Sequence, residues 1–136
     1  MTTVKKRGRP SKAAAEKPYD KLTKTARKMP SKRVYICSPY KGNIEKNTAR
    51  ARIYCRFAFE EGFVPVAPHL YYPQFLDDGD NDERAAGMRY GLEAMWQCRE
   101  VWVFGRMISE GMGAEIELAS DLKIPIKYFD SDMIEV

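Results

Sequence analysis

A glutamate ends a short glycine-containing segment, Ser109-Glu-Gly-Met-Gly-Ala-Glu115. Ser109 can cap a following helix, and Gly111 and Gly113 let backbone N–H groups approach an anion closely at the positive helix end. A carboxylate from Glu115 beside that anion could attack a sugar C1′, or stabilise positive charge there, as a base departs. The segment could therefore form an anion site beside a carboxylate that is able to take part in cleavage of an N-glycosidic bond.

The same residues also have a plainer interpretation. A glutamate in the first turns of a helix is favoured by the helix dipole, and serine with glycine before a helix is an ordinary start signal. Spacing alone leaves both interpretations open, so the elements around the segment decide between them.

Apolar runs and helical periodicity alternate along the chain after about residue 33. The runs predict strands at 33–38, 63–67, 100–104 and 124–129, and the periodicity predicts helices at 44–61, 82–98 and 114–122. This order favours an α/β fold, a Rossmann-like doubly wound parallel sheet of about four to five strands. Pro65 predicts an edge position for the second strand.

Three loops follow the carboxyl ends of these strands. The first strand ends at Ser38-Pro39-Tyr40-Lys41-Gly42, the second is followed by His69, and the third by Ser109 to Glu115. In a parallel sheet these ends lie at one edge, where ligands bind. We therefore expect the three loops to form one site.

The aromatic and large apolar residues divide into core and loop candidates. The helical pattern at 82–98 predicts that Met88, Leu92, Met95 and Trp96 face inward, and we expect Phe57, Trp102 and Phe104 in the core as well. Tyr40, Tyr71 and Tyr72 fall in predicted loops, where they could stack on a base.

Charge is divided unevenly along the chain. Residues 1–33 carry 12 Lys/Arg against 2 Asp/Glu, and residues 34–136 carry 11 against 17. We predict a basic flexible tail at 1–32, a domain at 33–130 and a short C-terminal tail at 131–136. Attraction to a polyanion is expected only from the basic tail.

The remaining composition points to a cytoplasmic protein. Cys37, Cys55 and Cys98 are odd in number, widely spaced and in apolar stretches, which predicts buried thiols in a reducing compartment. The sequence contains no long apolar run, so we expect no membrane span, and it contains no cluster of ligand residues, so we expect no metal site. We expect no cofactor.

The Ser109-x-Gly111-x-Gly113-x-Glu115 pattern after an apolar strand resembles the signature of the nucleoside 2-deoxyribosyltransferase and deoxynucleoside 5′-monophosphate N-glycosidase superfamily. The loop Ser38-Pro39-Tyr40-Lys41-Gly42 is similar to that of phage and bacterial relatives grouped as DUF4406-like proteins. The resemblance covers about residues 33–129.

The resemblance implies roles for these residues. Glu115 matches the glutamate that forms a glycosyl-enzyme intermediate, and Ser109, Gly111 and Gly113 match a loop that binds a 5′-phosphate. Residues 38–42 would line the pocket for base and sugar. His69 falls where the monophosphate hydrolases carry a histidine, although an ordinary loop or core histidine is an equal alternative. Related enzymes are dimers or larger, so a homo-oligomer is expected.

One position departs from the superfamily pattern. The enzymes carry an aspartate in the helix before the third strand, and the matching residue here is Gly91. Glu93 or an acid of 77–83 could replace it, and Arg89 could contact phosphate or be solvated. The alternative function is a nucleotide-binding module without turnover.

The basic tail contains Arg7-Gly8-Arg9-Pro10, which resembles the core of an AT-hook. In that motif two arginines reach along the minor groove of A·T-rich DNA. Weak, salt-sensitive DNA binding and a merely solvated tail are both open.

Overall fold

The computed structural model describes residues 15, 17–23 and 31–136. Residues 1–30 and 31–136 form separate units, and the first unit contains one helical turn at 20–23. The Arg7-to-Pro10 motif lies outside the described residues. The second unit carries the elements β1 Arg33–Cys37, α1 Ile44–Glu60, β2 Val64–Val66, α2 Pro68–Tyr71, a 3₁₀ turn Tyr72–Gln74, α3 Asn81–Trp96, β3 Glu100–Phe104, α4 Glu110–Asp121 and β4 Ile126–Phe129.

The four strands form one parallel sheet in the order β2-β1-β3-β4. From β1 the chain first continues to β2 on one side of it and then crosses to β3 on the other side, so the order of the strands switches direction next to β1. This confirms the predicted α/β doubly wound architecture. The proline-containing strand β2 lies at the sheet edge, where the missing N–H of Pro65 costs no ladder hydrogen bond.

Helices cover both faces of the sheet. On one face α1 packs through Tyr54 and Ala58 against Trp102, Phe104 and Phe129. On the other face, Met95 of α3 and Met112 and Ala119 of α4 pack against Tyr35, Cys37, Val101 and Val103. The central strands β1 and β3 are buried on both sides, as their continuous apolar sequence predicts.

Helix α4 begins earlier than its predicted start at residue 114. Ser109 is the N-cap, and its side chain accepts a hydrogen bond from the N–H of Met112 at 3.2 Å. Gly111 and Gly113 therefore lie in the first turn of the helix rather than in a loop. The predicted loop after β2 is also partly helical, since Pro68 starts the single turn of α2.

The prediction for the inner face of α3 is wrong for three of its four residues. Met95 is buried, but Met88, Leu92 and Trp96 are 71%, 42% and 68% exposed. The inner side of the helix consists mainly of small residues such as Gly91 and Ala94, which allow it to lie close to the sheet. Both sides of α3 are apolar, so periodicity alone could not tell them apart.

The C-terminal segment, predicted as a tail, turns back onto β4. The N–H of Val136 donates to the carbonyl of Tyr128 at 3.0 Å, and Phe129 forms an antiparallel bridge with Glu135. Cys37 and Cys98 are buried free thiols and Cys55 is half-buried. In the described part of the chain, no helix has both the length and the apolar character needed to cross a bilayer.

Candidate active site at the carboxyl edge of the sheet

Glu115 lies in the second turn of α4 and points toward β1. Its side chain interacts with the Tyr35 hydroxyl and the Cys37 thiol, which alternate along β1 and so share the face covered by α3 and α4. The Oε2 atom of Glu115 is shielded from solvent and has no hydrogen-bond partner among the described residues. A buried carboxylate oxygen without a partner is costly, and it is therefore a candidate for contact with a ligand.

The surroundings of Glu115 favour its neutral form. Burial raises the pKa of Glu115 from 4.5 to about 7, and hydrogen bonding from Tyr35 and Cys37 opposes part of that rise. Burial and the charge of Glu115 in turn raise the pKa of the Tyr35 hydroxyl and of the Cys37 thiol. Both groups therefore remain protonated donors while Glu115 titrates near neutrality.

Ser38 and His69 meet at the same edge. The Oγ atom of Ser38, which is buried directly after β1, lies 3.2 Å from Nε2 of His69 in α2. Burial lowers the pKa of His69 from 6.5 to about 4, so the ring is neutral at neutral pH. The ring of Tyr40 lies 6.2 Å from the ring of His69, between centroids. Two of the three predicted loops are thus in contact.

The loop after β1 is held in shape by α1. The Nδ2 group of Asn47 donates to the carbonyls of Tyr40 and Lys41, each at 3.1 Å, and Gly42 has φ +99°, a conformation that favours glycine. Pro39 lies between Ser38 and Tyr40 and is half-buried. Lys41 is exposed at this edge and supplies a positive charge.

The start of α4 offers free amide groups. The N–H groups of Glu110 and Gly111 belong to the first turn and have no hydrogen-bond acceptor among the described residues. A Cβ atom at Gly111 would meet nothing within 4 Å, and one at Gly113 would meet Ile108 at 4.0 Å. Neither glycine is required by packing within the chain. Arg106, four residues before Glu110 in the chain, and the carboxylate of Glu110 are both exposed.

Gly91 lies at the site although it carries no acid. A Cβ atom there would be 3.9 Å from the Tyr35 hydroxyl, which itself faces Glu115. Glu93, considered as a replacement, instead lines a separate cavity. Asp77 and Asp80 are occupied with the backbone N–H groups of their own turn. The charge of Asp78 acts on Tyr40, so Asp78 is the acid of the 77–83 stretch that lies near the first loop.

Sequence reasoning missed Tyr35 and Cys37 as members of the site. The sequence analysis assigned Tyr35 only to the first strand and Cys37 only to the buried thiols. The signal that could have found them is the alternation of β1, since residues 33, 35 and 37 face the same side as the helix that carries Glu115. Arg89 is exposed on α3, so its two alternatives stay open.

A separate cavity lies beside Arg33, at the start of β1. It has a volume of about 310 Å³, and its walls include Arg33, Tyr72, Tyr90, Glu93 and Gln97 but none of Ser38, His69 or Glu115. Arg33 starts β1, whereas the chemistry-bearing groups lie toward its other end. Within the described ranges, no group of three or more His, Cys, Asp or Glu side chains could hold a metal ion.

Comparison with known proteins identifies a family and a similar fold. No curated protein matches the chain by sequence. The 2-deoxyribosyltransferase of the psychrotolerant bacterium Bacillus psychrosaccharolyticus is similar in structure, with a TM-score of 0.57 and 18% identity over 72% of each chain. The relation to DUF4406-like proteins stays a prediction. The model of the family described as a domain of unknown function, DUF7768, matches residues 32–129, and the chain belongs to that family.

Proposed function

We propose that this protein binds a nucleoside or nucleotide and cleaves its N-glycosidic bond through Glu115. The observation that carries the proposal is the partly buried Glu115 carboxylate with an unpartnered Oε2 atom, next to the Tyr35 and Cys37 donors. The fold shared with a 2-deoxyribosyltransferase supports the same reaction class. The site also lies beyond the carboxyl ends of parallel strands, where ligands of such folds bind.

The reaction would proceed in two displacements. A Glu115 oxygen attacks C1′ of the sugar, the C1′–N bond breaks, and its electron pair leaves with the base, which takes up a proton. Water then attacks C1′, releases Glu115 and gives the free sugar, or a second base does so and gives a new nucleoside. Both outcomes retain the configuration at C1′, because each displacement inverts it. The step as written uses no metal or redox cofactor.

The Glu115 nucleophile acts only as a carboxylate. Because the pKa of Glu115 is about 7, half of the free enzyme carries the ionised, nucleophilic form of Glu115 at pH 7. Base release should therefore rise with pH up to about 7 and then level off, unless the proton donor for the base titrates in the same range.

The neighbouring side chains Ser38, His69 and Tyr40 support a second part of the proposal, contact with the base. A neutral His69 with its Nε2 atom near the Ser38 hydroxyl is a hydrogen-bonding pair rather than a cationic acid. Tyr40 has an aromatic ring that could stack on the base, and Asp78 lies close enough to influence it. We propose that these groups hold the leaving base while Glu115 attacks.

A 5′-phosphate would bind at the start of α4. The amides of Glu110 and Gly111 point out of the helix end, and the open space at Gly111 leaves room for a phosphate oxygen. Arg106 and Lys41 add positive charge, and Glu110 adds a negative one. A ratio of kcat/KM for monophosphate over nucleoside above one is expected, and a ratio below one would contradict phosphate binding.

The test follows release of free base by chromatography from a panel of deoxynucleosides and their 5′-monophosphates. Glu115→Gln should lower release by at least about 1,000-fold, as loss of a nucleophile does. Glu117→Gln is the matched control, because Glu117 is exposed on the same helix and should retain full activity. Undiminished release by Glu115→Gln would refute the role of Glu115.

A second candidate is a nucleotide-binding module without turnover. The observation that favours it is the absence of an acid at Gly91, beside the Tyr35 hydroxyl. Calorimetric titration with the same panel separates the two functions. Tight binding of a nucleotide with no base released over hours would favour the module, and the site residues would then be ligand contacts only.

The basic segment before residue 33 supports a third activity, weak binding of A·T-rich DNA. Its charge of about +9, from 11 Lys/Arg and 2 Asp/Glu in residues 1–32, contrasts with an acidic remainder of the chain. The double variant Arg7→Ala with Arg9→Ala should weaken a gel shift on A·T-rich duplex more than Lys5→Ala with Lys6→Ala, which removes equal charge. Equal loss of DNA binding in the two double variants would show that the segment binds DNA through its overall charge and not through the Arg7-Gly8-Arg9-Pro10 motif.

A further inference from the structure

We infer that a cavity on one flank of α3 is a second ligand site, which binds the guanine base of a nucleoside or nucleotide. The cavity has a volume of about 310 Å³, at the lower end of the ~300–1,000 Å³ that is usual for small-molecule pockets. None of Ser38, His69 and Glu115 lines it. We call it the α3 cavity and define it by the residues Arg33, Val66, Tyr72, Tyr90, Glu93 and Gln97.

One wall of the α3 cavity is a single side of a helix. Tyr90 and Glu93 of α3 and its C-cap residue Gln97 stand at positions i, i+3 and i+7, which lie along one side of a helix. Ala94 belongs to the same side, and its small side chain leaves space between the larger ones around it. This wall therefore offers an aromatic ring, a carboxylate and an amide to an occupant.

The other wall comes from the sheet and from the 3₁₀ turn. Arg33 of β1 and Val66 of β2 lie on neighbouring strands, at positions whose side chains face the same side of the sheet. The 3₁₀ turn supplies Tyr72, whose ring centroid lies 5.2 Å from that of Tyr90. The α3 cavity therefore has an aromatic end at the two tyrosines and a polar end at Arg33.

The polar end is organised by one hydrogen bond and keeps further donors and acceptors. The Nη1 group of Arg33 donates to Oε1 of Gln97 at 3.1 Å, which leaves the other N–H groups of the guanidinium and the amide N–H groups of Gln97 for an occupant. Glu93 lies one helical turn before Gln97 and forms no hydrogen bond or ion pair with any residue that the structure describes. A guanidinium and a carboxylate thus border one cavity without forming an ion pair with each other.

The side chains of the α3 cavity are of the types that recognise nucleobases. Arginine, glutamine and glutamate form planar hydrogen-bonded contacts with base edges, and tyrosine rings stack on bases. Guanine fits this set because its N1–H and 2-amino groups are adjacent donors, whereas O6 and N7 are adjacent acceptors. We assign the two donors to the Glu93 carboxylate and the two acceptors to the Arg33 guanidinium. Tyr90 would stack on the ring.

The openness of the α3 cavity leaves room for the sugar. Arg33, Glu93 and Gln97 are exposed to solvent, and Tyr90 is 36% exposed. In guanosine the sugar is attached at N9, on the side of the base away from N1 and O6. A base held by its N1 and O6 edges can therefore keep its sugar and phosphate in solvent. Binding at the α3 cavity does not depend on cleavage at Glu115.

Calorimetric titration with guanosine tests the proposal. The full chain with Glu115→Gln is the starting protein, so that no guanosine is cleaved. Adding Glu93→Gln should weaken guanosine binding at least about 10-fold, because the new amide N–H group faces a donor of the base. Glu61→Gln is the matched control, since Glu61 is exposed at the end of α1. Absence of guanosine binding, or equal affinities of the two variants, would overturn the proposal.

Xanthosine provides a test that a merely structural role of Glu93 would not pass. It carries a carbonyl oxygen in place of the 2-amino group, so the Glu93 carboxylate should bind it at least about 10-fold more weakly than guanosine. The amide of Glu93→Gln can accept from N1–H and donate to this oxygen, and the preference should reverse in favour of xanthosine. An unchanged preference would overturn the role of Glu93. Binding that Glu93→Gln leaves unaltered would belong to the Glu115 site and would support the proposed function alone.

The position of Arg33 is tested through N7 of the base. 7-Deazaguanosine lacks this acceptor and should bind several-fold more weakly than guanosine. Arg33→Lys loses the planar pair of donors while it keeps the charge, so it should bind the two ligands with similar affinity. Arg52→Lys, at an exposed position on α1, should retain the difference. A difference that persists in Arg33→Lys would overturn the proposed orientation of the base.

Discussion

The two faces of the β-sheet are filled with different kinds of side chain. The face under α1 carries the rings of Tyr54, Phe57, Trp102, Phe104 and Phe129 in mutual contact, with Tyr54 stacked on Phe104 at 4.2 Å between centroids. We call it the aromatic face. The opposite face, under α3 and α4, is mostly aliphatic but also holds Tyr35, Cys37 and Glu115, whose Oε2 atom has no hydrogen-bond partner among the described residues, and we call it the polar face after these three groups.

The difference indicates that the two faces contribute differently to stability and to function. Aromatic packing lowers the free energy of the native state, whereas a buried carboxylate without a full set of partners raises it. Such a cost persists in native proteins mainly where a group has a function. Substitutions in the aromatic cluster should therefore mainly lower stability, and substitutions of Tyr35, Cys37 or Glu115 on the polar face should mainly change activity.

The largest effect on stability is expected on the aromatic face. Phe104 is fully buried, and Phe104→Ala removes its ring contacts with Tyr54 and Phe129 and leaves a cavity. The free energy of unfolding should fall by about 3–5 kcal/mol, as measured by urea denaturation. The control Phe59→Ala, at a largely exposed ring, should cost less than about 0.5 kcal/mol. A loss below about 1 kcal/mol for Phe104→Ala would contradict the comparison.

The next effect has the opposite sign and lies on the polar face. The pKa of Glu115 is raised from 4.5 to about 7, so ionising it in the native state costs about 3 kcal/mol above pH 7 and nothing below pH 4.5. Glu115→Gln should therefore unfold at higher urea concentration than wild type at pH 8, while base release is lost. A stability at pH 8 equal to or below that of wild type would show that the carboxylate is better satisfied than its surroundings suggest.

His69 should mask part of this pH dependence. Its pKa is lowered from 6.5 to about 4, so protonation of the ring opposes folding as pH falls through that interval. The stability contributed by His69 rises with pH there, and that contributed by Glu115 falls. The wild-type free energy of unfolding should consequently change little between pH 4.5 and 6.5, and Glu115→Gln should reveal a rise. A flat profile in the variant would exclude His69 as a buried neutral ring.

A third effect concerns the charge state of Glu115. Tyr35→Phe removes a hydrogen bond to the carboxylate form, so the pKa of Glu115 should increase and the midpoint of the pH profile for base release should move up by about one pH unit. Tyr54→Phe is the matched control on the aromatic face, where a buried tyrosine has no contact with Glu115. Equal midpoints of the pH profile for the two variants would show that Tyr35 does not influence the ionisation of Glu115.

Much of the aromatic face could be predicted from the sequence. The β-branched and aromatic runs of β1 and β3 are continuous, which is typical of strands buried on both sides, and the alternation of strands and helices defines the topology. Trp102 and Phe104 were expected in the core for this reason and are buried there. Local pattern and tertiary packing agree at these positions.

The polar face was predicted less completely, for two physical reasons. Tyr35 and Cys37 are residue types found in any ordinary strand. The packing of α4 on their side of the sheet is what brings Glu115 next to them. Helix α3 is apolar on both sides, so its period does not show which side packs, and Met88, Leu92 and Trp96 were assigned to the wrong one. Tertiary contacts, rather than local pattern, determine both features.

The smallest effect tests whether the space beside Tyr35 belongs to the substrate. A Cβ atom at Gly91 would lie 3.9 Å from the Tyr35 hydroxyl, an ordinary contact, so Gly91→Ala should stabilise the helix by about 0.5–1 kcal/mol without distortion. If substrate fills that space, the added methyl group should raise KM several-fold. Gly87→Ala on the same helix gives a Cβ 3.5 Å from Leu76, away from Tyr35, and should leave KM unchanged. Equal KM values for both variants would place the substrate elsewhere along the edge, because only the methyl group added at position 91 lies next to the Tyr35 hydroxyl.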